Sequence, residues 1–242
     1  MITKNQVKYI QSLSQKKLRD AESVFVAEGP KIIIELLTMS QIRPVAVYGT
    51  EEWWLHNPES RGAEWAIAVT EDELSRISFL KTPHQVLGIF KKPEILNPVN
   101  GWQLLLDGIQ DPGNMGTLIR IADWFGIGQV ICSEDTADVY SPKAVQSTMA
   151  SIGRVAVIYT NLATYVRDHP ERHFYAAVLD GEPLRNVRPQ LSSALVIGNE
   201  SQGIRPELMR ELKDFITIPR LGEAESLNAA VAAGIIFSHL VT

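Results

Sequence analysis

The chain has 242 residues, 45% of them hydrophobic and 21% charged, with a net charge of −5. That balance is ordinary for a globular protein, and the length fits two modest domains. The acidic total excludes a protein that binds nucleic acid over its whole surface, and no apolar run reaches the roughly 20 residues of a membrane span.

The opening residues, MITKNQVKYIQSLSQKK, contain no continuous apolar segment of the secretory kind. Cys132 is the only cysteine and lies in the apolar run Gln129-Val130-Ile131-Cys132. A buried, inert thiol and a reducing cytoplasm are therefore expected. The five histidines are scattered, and no metal site is expected.

Before residue 20 the charged residues are Lys4, Lys8, Lys16, Lys17 and Arg19, with no acid among them. The run reads either as a solvated helix face or as a local phosphate-contacting arm. Periodicity over 4–19, with Val7, Ile10, Leu13 and Leu18 apolar, predicts one or two short helices. Strands follow at 24–27, 44–48, 65–69 and 86–90. Helical segments are predicted at 31–39, 51–55 and 71–77, the last with Thr70 as N-cap. Residues 1–92 thus read as a small α/β domain and 93–101 as a linker rich in Pro, Asn and Gly.

From 102 onward a second α/β series begins. Strands are predicted at 103–106, 130–132, 155–159, 175–179, 195–197 and 215–218, with helices at 115–125, 142–150, 161–168 and 206–213. Such alternation gives a mostly parallel sheet, with ligands at the carboxyl ends of the strands. Three polar loops would converge there, 107–114, 198–203 and 219–228. No dinucleotide fingerprint or phosphate-binding loop is present: Gly126-Ile127-Gly128 follows a helix and reads as its C-cap.

The last segment, 227–236, is apolar on nearly every side, which predicts a buried helix. Ser226 is placed to cap it, while Asn228 is harder to explain by capping. Both stand where free N–H groups and the positive helix end could meet a ligand.

The stretches DGIQDPGNMGTLIRIADWFG, LVIGNESQGI and IPRLGEAESLNAAVAAGI resemble, in order, the three motifs of the SpoU (TrmH-like) family of RNA 2′-O-ribose methyltransferases, of the SPOUT class. The N-terminal part, with its Phe25-Val26-Ala27-Glu28-Gly29 step, resembles the family's small L30e-like RNA-binding domain. The resemblance implies an α/β fold whose C-terminal domain, 102–242, carries a deep trefoil knot. It implies S-adenosylmethionine as cofactor and a homodimer formed through that domain. By motif position Gly198, Ile218 and Leu227 match cofactor-contacting residues, while Asn114, Arg120, Glu200, Ser226 and Asn228 match functional polar positions. Lys4, Lys8, Lys16, Lys17 and Arg19 are the candidate RNA contacts.

Methyl transfer to a ribose 2′-oxygen needs alignment of oxygen, methyl and sulfur, and removal of a proton. Arg120 suits a grip on phosphate and stabilisation of a developing alkoxide; with a pKa above about 12 it is a poor base. An ordinary salt bridge is its plain alternative. Glu200 either caps its own loop or holds Arg120 or that loop in place. Asn228 binds the 2′-hydroxyl or orders the knot. The expected substrate is ribosomal RNA, with transfer RNA as alternative. A non-catalytic RNA-binding or ribosome-assembly protein on the same fold and an unrelated nucleotide-dependent enzyme are the competing readings.

Overall fold

The computed structural model describes residues 1–94 and 101–241. Of the predicted linker, residues 95–100 lie outside the described residues. The chain divides into two compact units, Met1–Glu94 with Asp138–Gly153, and Ile95–Ala137 with Arg154–Thr242.

The first unit opens with α1 (Lys4–Ser12) and α2 (Lys16–Glu22). It continues through β1 (Val24–Glu28), α3 (Pro30–Thr38), β2 (Pro44–Thr50), α4 (Glu51–His56), β3 (Ala66–Val69), α5 (Glu71–Ile77) and β4 (Val86–Lys91). Its sheet has the order β1-β4-β2-β3. Alternation of elements suggests parallel neighbours, yet β4 runs antiparallel to both β1 and β2, and only β2 and β3 are parallel. Val24, Val26, Tyr48, Leu87 and Ile89 of the sheet pack with Ile10, Leu13, Leu74 and Ile77 of the helices in one core. Local signals placed several boundaries well. Thr70 caps α5, accepting from Glu73 N at 3.2 Å while Glu73 Oε2 accepts from Thr70 N at 3.1 Å.

The second unit begins with β5 (Gln103–Asp107), α6 (Pro112–Trp124) and β6 (Gln129–Cys132). Gly126, with φ +70°, follows the end of α6 as expected. The chain then returns to the first unit for α7 (Pro142–Thr148). Arg19 is the anchor of that return. Only 2% exposed, it donates Nη1 to the carbonyls of Leu13 and Ser14 at 2.6 and 2.7 Å and pairs through Nη2 with Asp138. Gln41 Nε2 donates to the Gly153 carbonyl at 2.8 Å, and the Phe25 and Tyr140 rings lie 5.6 Å apart.

The remaining elements of the second unit are β7 (Ala156–Tyr159), α8 (Leu162–Asp168), β8 (His173–Pro183), β9 (Ser193–Gly198), α9 (Pro206–Met209), β10 (Asp214–Thr217) and α10 (Ala229–Leu240). The helix predicted over 206–213 therefore closes after one turn. All strand pairs are parallel, in the order β10-β8-β9-β5-β6-β7. From β5 the chain builds outward through β6 and β7, then crosses to β8 and β9 on the other side. The switch point lies between β5 and β9, where Asp107 pairs with Gly198 at the carboxyl ends. An open parallel sheet offers its natural ligand crevice at such a point.

Strand β8 is longer than predicted and irregular. Ala176 pairs with Phe215 but Glu182 pairs with the next residue, Ile216, so residues 177–181 leave the ladder.

Candidate active site

At the end of β5, the Asp107 carboxylate is 1% exposed and accepts from Arg205 N at 2.8 Å, from Arg205 Nε at 2.7 Å and from Arg205 Nη2. This ion pair ties the first loop to the second. Asp135, 3.2 Å from Arg205, is held below the ordinary aspartate range first by the Ser133 hydroxyl and then by the guanidinium. Asn199 Nδ2 donates to the Gly108 carbonyl at 2.7 Å, while its Oδ1 accepts from Ser201 N and Gln202 N at 2.9 and 3.1 Å. Neither Asp107 nor Arg205 was singled out by sequence. The signal for them was a carboxylate ending an apolar strand, which cannot be buried without a cation.

The second loop closes on itself between Asn199 and Gly203, whose backbones exchange hydrogen bonds at 3.0 and 2.8 Å. A Cβ on Gly198 would lie 2.3 Å from Gly203 C and 2.4 Å from Ile204 N. Only glycine permits that approach, so the cavity next to it is floored by backbone.

That cavity has a volume of about 680 Å³ and brings together residues from β8, β9, β10 and the approach to α10. Gly198, Glu200, Ile218, Ser226 and Leu227 line it, with Ile197 and Ile216 among the apolar walls. The excursion in β8 contributes Ala177, Val178 and Leu179. Its size suits a nucleoside-sized ligand, with apolar walls from the strands and polar side chains, Glu200 and Ser226 among them, from the loops. All three cofactor candidates from the sequence thus meet in one cavity, together with Glu200 and Ser226.

Asn114 and Asn228 do not line the cavity but reach Glu200 through a chain of side chains. Asn228 Nδ2 donates to Asn114 Oδ1 at 3.0 Å, and Asn114 Nδ2 donates to Glu200 Oε1 at 2.6 Å. Each member comes from a different motif, 86 and 114 residues from Asn114 along the chain. Asn228 is also the N-cap of α10, its Oδ1 accepting from Ala230 N at 3.0 Å and Val231 N at 3.3 Å. The expected cap, Ser226, instead lines the cavity two residues earlier, because the helix begins at Ala229. Asp111 caps α6 by accepting from Asn114 N at 2.9 Å.

Arg120 is exposed and has no hydrogen bond or ion pair among the described residues, so the salt-bridge alternative and a link to Glu200 both fall away. Six residues beyond Asn114 on α6, it sits about 9 Å further along the axis and about 120° round it. Lys4, Lys8, Lys16 and Lys17 are exposed on α1 and α2. Arg19 is not: burial and its bonds to Asp138 and two carbonyls make it an internal tie, which corrects its reading as an RNA contact.

Helix α10 packs on α6 but is not buried all round as predicted. Val231 and Ile235, four apart on the helix, are 51% and 41% exposed, Leu227 just before it is 45% exposed, and Trp124 at the end of α6 is 84% exposed. Among the described residues no group of three or more metal-ligating side chains gathers, and no helix is long and apolar enough to cross a membrane.

Residues 101–238 match the SpoU rRNA Methylase family, and residues 4–88 match the MRM3-like substrate binding domain. The chain belongs to the SpoU rRNA methylase family. Within it, similarity runs over 242 residues at 32% identity to the 23S rRNA (guanosine(2553)-2′-O)-methyltransferase RlmP of Bacillus subtilis, covering 98% of this chain and 96% of that protein. The AdoMet-bound rRNA methyltransferase of Sinorhizobium meliloti superimposes with a TM-score of 0.85 at 30% identity, over 99% of this chain and 95% of the other. A TrmH-family structure from Porphyromonas gingivalis gives a TM-score of 0.85 at 36% identity, over 99% and 98% of the two chains.

Proposed function

We propose that this SpoU-family chain transfers a methyl group from S-adenosylmethionine to a ribose 2′-hydroxyl of ribosomal RNA. The observation that carries the reading is the backbone-floored cavity at the ends of β8, β9 and β10, edged by the Asn228–Asn114–Glu200 chain. Membership of the family and similarity to RlmP and the Sinorhizobium enzyme support both reaction and substrate class.

The cofactor, when bound, supplies an electrophilic methyl group on a sulfonium. Gly198, Ile218 and Leu227 hold it, and the apolar walls exclude water from the reacting atoms. Ser226 and Glu200 offer hydrogen-bonding groups toward the ribose. Arg120, exposed and unpaired among the described residues, takes an RNA phosphate through its planar fork and contributes a fixed positive charge. Most of the rate gain then comes from alignment of oxygen, methyl and sulfur.

Residues 1–92 serve the RNA and 102–242 the chemistry, with the Asp138–Gly153 segment packed into the first unit. Lys4, Lys8, Lys16 and Lys17 are its phosphate contacts. The exposed apolar side chains Val231 and Ile235 of α10, with Trp124, support a homodimer formed through the second unit. The meeting of the 198–203 and 218–228 loops in one cavity is in keeping with a trefoil knot there. A buried lone Cys132 and a ribosomal substrate fit the cytoplasm.

The test is S-adenosylmethionine binding by calorimetry, then transfer of labelled methyl to ribosomal RNA, then comparison of ribose methylation with and without the gene. Binding, transfer and the loss of one methylated ribose in ribosomal RNA are expected. Absence of cofactor binding, or transfer to transfer RNA alone, would overturn the reading.

A further inference from the structure

The three side chains at the cavity edge have a direction. An amide end can be turned either way at almost no steric cost, so its orientation follows from its partners. For Asn228 those partners are backbone: Ala230 N and Val231 N can only donate, so Oδ1 must face α10. Its Nδ2 then points at Asn114 and donates to Oδ1 at 3.0 Å. With its oxygen so engaged, Asn114 has only Nδ2 left for Glu200, and donates to Oε1 at 2.6 Å. The polarity of the first turn of α10 is thereby passed through two amides to a carboxylate that lines the cavity. Glu200 makes no other hydrogen bond or ion pair among the described residues.

We infer that Asn228 and Asn114 are positioning residues which fix Glu200 by one oxygen and present the other as the hydrogen-bond acceptor for the ribose 2′-hydroxyl. This rests on the methyl-transfer reading above. It assigns the two asparagines no contact with substrate; they act through Glu200. A chain of this kind is satisfied throughout in one orientation only, and reversing any link leaves two acceptors face to face.

Asn228→Asp keeps an acceptor for Ala230 N and Val231 N, so the cap survives, but it offers Asn114 an acceptor instead of a donor. Asn114 then turns its amide, and its oxygen meets the Glu200 carboxylate. Glu200→Gln alone keeps the link, since the new amide oxygen accepts from Asn114 Nδ2, but it presents a donor to the cavity. In the double variant the chain runs in reverse without conflict. The turned Asn114 oxygen accepts from the introduced amide nitrogen, and the introduced amide oxygen faces the cavity as an acceptor again.

Each single variant is therefore expected to lose about tenfold or more in kcat with KM for S-adenosylmethionine little changed, and the double variant to exceed both. The measurement is single-turnover methyl transfer to ribosomal RNA by the full chain, with cofactor affinity by calorimetry and thermal unfolding run in parallel. Equal cofactor affinity and midpoint in all four proteins, with the double variant the fastest of the three mutants, supports the relay. A double variant no faster than the faster single overturns it. So does loss of cofactor binding in Asn228→Asp, which would place Asn228 in the cofactor site and not in a relay to Glu200, since the cap itself survives that change. A wild-type chain that transfers no methyl sinks the underlying reading instead, and the two failures are distinguishable.

Discussion

Two helix caps, one in each unit, do the same local work and differ in what they do next. Thr70 in the first unit forms a reciprocal box with Glu73, and the spare oxygen of Glu73 accepts from Ile2 N at 2.7 Å. Every bond ends on backbone, and the cluster is complete as architecture. Asn228 in the second unit caps α10 equally well, but its amide nitrogen continues to Asn114 and from there to a carboxylate at a cavity. A polar group whose bonding capacity closes within its own fold element is structural. One whose bonds lead across three chain-distant loops and stop at a cavity wall marks a site. The same contrast separates the two arginines on which the sequence placed function: Arg19 is buried and engaged, whereas Arg120 is exposed and unpaired among the described residues.

The sharpest way to break the comparison is at Arg120. Arg120→Lys keeps the charge and loses the fork, so kcat should fall by about 100-fold or more, with cofactor affinity within about twofold. Collapse of cofactor binding, seen by calorimetry, would make Arg120 part of the cofactor site or of the fold. Next in size is Arg205→Ala, which leaves Asp107 buried without its cation. Because the guanidinium is itself 37% exposed, the loss should be about 2 kcal/mol, below that of a fully buried pair. Urea unfolding measures it, and an unchanged midpoint would remove the tie between the first two loops.

The first unit offers two smaller tests. Replacing Lys4, Lys8, Lys16 and Lys17 with Gln should lower the salt dependence of RNA binding by roughly one log–log unit for each phosphate that a lysine no longer neutralises. An unchanged slope would leave α1 and α2 as a solvated face. Glu28, buried and accepting from Ser78 Oγ at 2.5 Å and Phe79 N at 2.8 Å, has its carboxyl pushed up by desolvation. A folded state that holds the proton more tightly than the unfolded one loses stability as pH rises through the raised value. Glu28→Gln removes that decline, so the variant should gain on wild type between acid and neutral pH, by about 1 kcal/mol or less. Parallel pH profiles of the two melting temperatures would show that Glu28 is not strained.

Much of this was legible in residue order alone. Apolar runs such as Gln103–Asp107 located strands, Thr70 and Gly126 marked helix ends, and the three ordered motifs located the cavity-lining Gly198, Ile218 and Leu227. These are local signals, set by φ/ψ preference, side-chain period and backbone capping. What the sequence could not determine depends on pairs far apart in the chain. Strand direction in the first sheet follows from which surfaces meet, and alternation of elements does not specify it. The burial of Arg19 required Asp138 to arrive from 119 residues away, and the partner of Asp107 lies 98 residues on. Asn228 is a local cap that residue order obscures, because Ser226, two residues earlier, offers the same chemistry, and its second bond is invisible there. Only the folded chain brings Asn114 to its amide, and the direction of that bond follows from helix geometry, which no spacing of residues encodes.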